Sequence, residues 1–362
     1  MTPANLFSAV ELGNLKLPNR IVMSPMTRLR ADVTIPTELM ATYYAQRASA
    51  GLIVTECTMV SPLSYGYMNC PGIYSTEQIE GWKLTAKAVH DRGGRIFLQL
   101  WHCGRVSRPS LLNGKLPVAP SAIAATGKLY TLEGKVEMET PRALEIEEIA
   151  EIVEQFRAGA KNALEAGFDG IELHGAFGYL IDQFLQDVSN QRTDKYGGSV
   201  ANRARFLVEV VAAVTDVWGN GKVGVKLSPS NTFYGMGDSN AKETFGHAIA
   251  ALNDFNLAYI HLMEPNSVDL ENADVINPVL PVFSPFYRGT IISNGGYDKQ
   301  SGHEALSKAK LVSFGRPYIA NPDLVKRFEV DAKLNEPNPK TFYGRGDDEN
   351  AKVGYTDYPF LS

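Results

Sequence analysis

The sequence predicts an α/β fold, a (β/α)8 barrel, on three observations. Short apolar, β-rich runs recur eight times along the 362 residues. Most of them are followed by a segment with helical periodicity. No GxGxxG turn follows the first run, although an open doubly wound sheet often carries one there. The runs are RIVMSP (20–25), GLIVTEC (51–57), RIFLQLW (95–101), FDGIELHG (168–175), KVGVKLSP (222–229), LAYIHLME (257–264), GTIISNGG (289–296) and KLVSFGRP (310–317). Each is nearly continuous in apolar residues and too short for a helix, as strands buried on both faces are. EQIEGWKLTAKAVHDRG, EEIAEIVEQFRAGAKNALEAG, ANRARFLVEVVAAVTDVWG and ETFGHAIAALNDFN read as the intervening helices. Strand and helix in alternation give the TIM-barrel arrangement.

Three segments lie outside that alternation. FSAVELGNLKLPNR alternates around Gly13 and is expected to form an N-terminal hairpin that caps the barrel bottom. Residues 104–144, rich in Pro, Gly and Thr, are expected to leave the barrel after strand three as an excursion with a small hairpin over the mouth. The tail after residue 328 is expected to wrap the outside and return at GYTDYPF. Residues 1–362 then form one domain. The Gly235/Gly237 pair in YGMGDSN reads as a loop turn.

Composition narrows the function. A hydrophobic fraction of 44% and a charged fraction of 21% are ordinary for a globular chain. The net charge of −5, with no dense Lys/Arg run, argues against a nucleic-acid surface. No stretch of 18 apolar residues would span a membrane, and MTPANLFSAVELG lacks the basic and apolar regions of a signal peptide. Cys57, Cys70 and Cys103 form no CxxC and read as reduced thiols of a cytoplasmic enzyme.

In such barrels the chemistry sits at the C-terminal ends of the strands. Those ends carry Thr27, Glu56, Gln99 with Trp101 and His102, His174, Lys226, Glu264, Asn294 with Gly295 and Gly296, and Gly315 with Arg316. The acids and histidines do not group at any ligand spacing, so no metal is expected. Gly295–Gly296 offers backbone N–H groups and Arg316 a cation on adjacent strands, a common phosphate position. A phosphorylated ring cofactor would then lie across the mouth. Gln99, Thr27 and Lys226 have the types to bond a flat heterocycle, and Lys226 would stabilise negative charge on a reduced flavin. Each also has a structural reading: Thr27 capping a turn, Gln99 satisfying a loop, Lys226 snorkelling, the glycines a tight turn. In IELHGAFGYLIDQFL, His174 and Tyr179 present two donors at one strand exit, with Phe177 between them.

The chain resembles the Old Yellow Enzyme family, in its threonine-type subgroup, from about residue 5 to residue 361. The motifs are NRIVMSPMTRLRA, LIVTE, GYMNCPGIYS, QLWHCGRVS, FDGIELHGAFGYLIDQFLQDVSNQRTDKYGGSVANRARF, GVKLSPSNTF, NGGY, LVSFGRPYIANPDLVKR and GYTDYP, in order. The resemblance implies an FMN-dependent ene-reductase. NADPH or NADH would reduce the flavin, and an activated alkene, an α,β-unsaturated carbonyl compound, would reoxidise it. It implies Pro25, Met26 and Thr27 along the flavin, Gln99 on its pyrimidine edge and Lys226 near N1 and O2. Asn294, Gly295, Gly296, Gly315 and Arg316 would hold ribityl and phosphate. His174 would bond the substrate carbonyl, Tyr179 would deliver a proton, and Tyr67, Trp101 and Tyr355 would shape the substrate cavity. Tyr67, Tyr234, Phe286 and the 104–144 excursion are candidates for setting substrate size.

Three positions depart from the family pattern. Phe177 stands where the family has Asn or His as second carbonyl donor, and a phenyl ring donates nothing. Lys226 replaces the usual Arg, and EALSKAKLVSFG is about two residues shorter before the last strand than the pattern. Two rivals follow: a flavin-binding barrel whose ene reduction is impaired or altered by Phe177, and a flavin-free lyase or aldolase using Lys226 as a Schiff base. Three cysteines are too few for the four ligands of an iron–sulfur cluster, which excludes the larger relatives that carry one.

Overall fold

The computed structural model describes residues 5–131, 134–344 and 350–361. Each of the eight apolar runs contains one strand. In order they are Ile21–Met23, Leu52–Met59, Ile96–Trp101, Gly170–Gly175, Val223–Leu227, Tyr259–Met263, Ile291–Asn294 and Leu311–Phe314. All pairings are parallel, each strand lies beside the next, and the eighth closes on the first. Most strands stop short of the predicted runs. Pro25, Pro229 and Pro317 follow three of them, where a residue without an N–H cannot extend a ladder. The second strand runs further, to Met59, through a bulge between Val54 and Cys57 that sets Cys57 opposite Gln99.

The helices begin where capping residues stand. Ser75 accepts from Gln78 N ahead of Thr76–His90, and Ser199 accepts from Asn202 N ahead of Val200–Trp218. Ile146–Glu165 and Ala241–Ala251 are the other long helices of the outer ring, each burying one apolar face.

The N-terminal hairpin, Val10–Leu12 against Leu15–Leu17, caps the bottom as expected. Val10, Leu12 and Leu17 pack with Val22, Leu52, Phe97, Tyr259 and Leu311. Gly13 turns the hairpin with φ +54°, and any Cβ there would collide with the Gly221 carbonyl. The excursion contains the hairpin Lys128–Thr131/Gly134–Glu137, and its base is closed by Val118–Ala119 beside Arg142–Ala143.

The tail returns onto three buried arginines. Arg28 Nη2 donates to Gly354 O (2.7 Å) and Arg30 Nε to Ala351 O (3.0 Å), while Arg47 bonds the carbonyls of Tyr318 and Ile319 beneath it. Among the described residues no helix is long and apolar enough to cross a membrane, and no three His, Cys, Asp or Glu side chains gather to hold a metal ion.

Candidate active site

Inside the barrel, just below its C-terminal rim, lies a fully buried polar layer. Parallel register sets Gln99 beside Glu172 and Lys226 beside both His174 and His261. Gln99 Nε2 donates to Glu172 Oε1 (2.7 Å), and the Cys57 thiol donates to Gln99 Oε1 (3.1 Å). His261 Nδ1 meets the other Glu172 oxygen at 2.8 Å and its Nε2 meets Ser313 Oγ at 2.7 Å. Lys226 Nζ donates to Asn294 Oδ1 (3.3 Å). Burial works against the Glu172 carboxylate, but His261, Lys226 and Gln99 outweigh it and hold its pKa below the ordinary value. Burial, followed by Lys226, pushes His261 down, so it is neutral and its Nδ1–H donates to Glu172. Burial also lowers the Lys226 ammonium, opposed by Glu172. Isolated charges here would be costly, and the layer satisfies them mutually. Glu172 and His261 escaped the sequence reading. Their signal was an ionisable residue inside an otherwise apolar strand run, at the inward positions of GIELHG and YIHL.

The ends of strands seven, eight and one form the open side of the mouth. Asn294 Nδ2 donates to Ser313 O (3.1 Å) and Ser24 N to Phe314 O (3.1 Å), which locks the three strand ends together. Gly296 has φ +72°, and a Cβ added there would meet nothing within 4 Å. At Gly315 the nearest atom would be Met26 Sδ at 3.6 Å. This is bare backbone beside Met26, with the exposed Arg316 next to Gly315. A cradle of open glycines joined to buried cationic and amide donors fits a phosphorylated flavin.

The opposite side is an aromatic wall. His174 is stacked on Trp101 at 6.2 Å and lies edge-on to Tyr179 at 4.9 Å. Trp101 meets Tyr179 at 4.7 Å and stacks on Tyr67 at 5.5 Å. His174 Nδ1 accepts from Ala176 N (3.3 Å), which leaves the proton on Nε2 as a donor. Burial, then the Lys226 charge, drives His174 down to about 3, so it stays neutral. Burial drives the Tyr179 phenol well above its ordinary value. Asp182 and Gln183, in the helix Leu180–Leu185, bond Gly178 N (2.8 Å) and Gly178 O (2.6 Å) and so fix the turn that carries Tyr179.

Phe177 is the conspicuous member of this wall. Its φ is +56°, a left-handed conformation that suits Asn and strains a bulky ring. Phe177 N donates to Ser228 Oγ (2.8 Å), and the ring lies 6.0 Å from His174 and 5.5 Å from Lys226 Nζ.

One residue expected to set substrate size, Phe286, lies elsewhere. It packs in the outer helical layer, against Phe283 and the face of Gly246, because its loop leads into the bottom of strand seven. Tyr355 stacks on Tyr43 at 4.0 Å with Arg28 and Arg30 beside its ring, and its buried hydroxyl has no partner among the described residues. Among the described residues it makes no ring contact with Tyr67, Trp101 or Tyr179.

Comparison with known proteins agrees with this geometry. A family model described as NADH:flavin oxidoreductase / NADH oxidase matches residues 5–335. The chain belongs to that family. Within it, the chain is similar to a putative 12-oxophytodienoate reductase 11 of Oryza sativa subsp. japonica, 43% identical over 99% of this chain and 98% of that one. The solved structure of morphinone reductase superimposes with a TM-score of 0.93 at 44% identity, covering 99% of this chain and 97% of that one. An old yellow enzyme homologue from Zymomonas mobilis gives a TM-score of 0.94 at 40% identity, covering 99% and 100%. The resemblance to Old Yellow Enzyme and the TIM-barrel fold both hold. The protein is an FMN oxidoreductase that uses NAD(P)H to reduce activated C=C bonds.

Proposed function

We propose that this family member reduces α,β-unsaturated carbonyl compounds, with His174 bonding the carbonyl oxygen and Tyr179 protonating the α-carbon. The observation that carries this is the pairing of His174 and Tyr179, 4.9 Å apart at one strand exit, with the histidine neutral and its Nε2–H unengaged by the backbone. When bound, FMN supplies the hydride for the β-carbon. Negative charge then grows on the carbonyl oxygen, and a fixed N–H donor lowers the barrier there. Trp101 and Tyr67 keep water from the site. Thr27, Gln99 and Lys226 hold the heterocycle, Pro25 and Met26 line it, and Asn294, Gly295, Gly296, Gly315 and Arg316 hold its phosphate arm. Tyr355 shapes the substrate cavity with Tyr67 and Trp101, and its ring also packs beside Arg28, the residue that follows Thr27. Residues 1–362 act as one unit. Three buried, unpaired cysteines support a cytoplasmic location.

Phe177 favours a second reading, in which simple enones are poor substrates and the natural one needs a single carbonyl donor. The test is Tyr179→Phe. Flavin reoxidation by an enone is expected to fall about 10²–10⁴-fold, with reduction by NADPH little changed. Equal loss in both half-reactions would remove Tyr179 as the proton donor.

A further inference from the structure

Tyr179 does not stand alone. Its hydroxyl lies 3.2 Å from that of Tyr67, and the Tyr67 hydroxyl is hydrogen-bonded to that of Tyr234. The three tyrosines arrive on separate loops, after strands two, four and five. Tyr234 lies within Phe233–Gly235 with φ +60° and ψ 26°, a left-handed backbone that a bulky residue adopts only when held. The holders are visible. The Tyr234 carbonyl accepts from Arg105 Nη2 (3.1 Å) and from Thr126 N (3.2 Å). Arg105 is itself buried and also bonds Ile123 O (3.3 Å), so the excursion after strand three clamps the strained loop. These bonds hold the loop in the conformation that sets the Tyr234 hydroxyl on Tyr67.

A tyrosine buried against Trp101 and His174 is a reluctant acid, because losing its proton leaves a phenolate among apolar rings. Donors aimed at its oxygen offset that cost. We propose that Tyr67 and Tyr234 are positioning residues for the proton transfer, Tyr234 donating to Tyr67 and Tyr67 to Tyr179, so that the charge left on Tyr179 is shared along three oxygens. This rests on Tyr179 being the proton donor.

The step balances. The alkene π pair left at the α-carbon forms the new C–H bond with the Tyr179 proton, as hydride arrives at the β-carbon. Tyr179 recovers a proton from Tyr67, Tyr67 from Tyr234, and Tyr234 from water. One solvent proton is consumed per alkene reduced.

The test compares the holoenzyme with Tyr234→Phe, which keeps the ring and removes the donor, and with Tyr179→Phe. Each half-reaction is followed separately by stopped flow in H2O–D2O mixtures. Tyr234→Phe is expected to slow the alkene half-reaction about tenfold, the size of one lost hydrogen bond to a charged group. The nicotinamide half-reaction stays within about twofold by the same argument, since no proton leaves Tyr179 there. The dependence of rate on deuterium fraction, bowed in the parent because several hydrogens move, becomes closer to linear. Unchanged rate and curvature in Tyr234→Phe, with Tyr179→Phe still slow, would overturn the hydroxyl chain and leave the proton donor in place. Equal slowing of both half-reactions would also overturn it, making Tyr234 a cavity wall. A fast alkene half-reaction in Tyr179→Phe would instead overturn the underlying function. Should Tyr234→Phe not fold, Tyr67→Phe reads the same quantities.

Discussion

The two sides of the barrel mouth are built by opposite means. On the side of strands seven, eight and one, the groups offered are backbone: Gly296 and Gly315 leave open space, and Arg316 is exposed. On the side of strands two to five, nearly everything is side chain: His174, Trp101, Tyr67, Tyr179 and Tyr234 pack ring against ring. The first side can take a large anionic group without rearranging. The second fixes a few polar atoms in an apolar setting, where each is worth more and each is more sensitive to loss. On the function proposed above, the first side would hold the phosphate arm of the cofactor and the second would carry the proton and carbonyl chemistry.

That contrast can be broken by substitution. After the loss expected for Tyr179→Phe, the largest effect is expected at His174. His174→Ala should slow the alkene half-reaction about 10²–10³-fold, as removal of an oxyanion donor does, while flavin content stays normal. Flavin loss in parallel would merge the two sides.

Phe177→Asn should act in the opposite sense. It adds a donor and places a residue suited to left-handed backbone at φ +56°. Turnover on simple enones should rise about tenfold or more, and relief of backbone strain should add about 1 kcal/mol of stability, read as a higher melting temperature. No gain in rate would mean that another group already anchors the carbonyl.

Arg316→Ala tests the open side. FMN retention should weaken by about tenfold, the scale of one charge-assisted bond, with the turnover of fully loaded enzyme preserved. A fall in turnover at saturating FMN would contradict the division.

The smallest expected effect is a flat profile. His174 is driven to about 3 from an ordinary 6.5, so the folded protein favours its neutral form. Its contribution to stability is present above 6.5 and is lost as pH falls from there toward 3. The alkene half-reaction should therefore show no inflection from His174 between about pH 5 and 8. An inflection near 6.5 that disappears in His174→Ala would contradict a neutral donor.

What could be read in advance follows the same contrast. The strands announced themselves because both faces are buried, so their runs are nearly continuous in Val, Ile and Leu. Asn294–Gly296 and Gly315–Arg316 were legible because adjacent strand ends must meet once the barrel is assumed. Glu172 and His261 were hidden inside runs read for their apolar residues, although an ionisable group at an inward position is the signal of a buried network. Tyr234 was visible only as a candidate for cavity size. Nothing in the chain order tells that the excursion after strand three holds its loop against Tyr67. Phe286 was misplaced because an aromatic residue near a strand start looks, in sequence, like one near a strand end. Only the direction of the strand separates bottom from mouth.

The most direct measurement is anaerobic. The purified protein is reduced with NADPH until its flavin bleaches, 2-cyclohexenone is added, and the yellow absorbance is followed. Recovery of the oxidised band before any oxygen enters is the predicted result, with His174 serving the carbonyl without a donor at 177. A flavin that bleaches with NADPH but stays bleached with the enone until air is admitted would contradict enone reduction at this site.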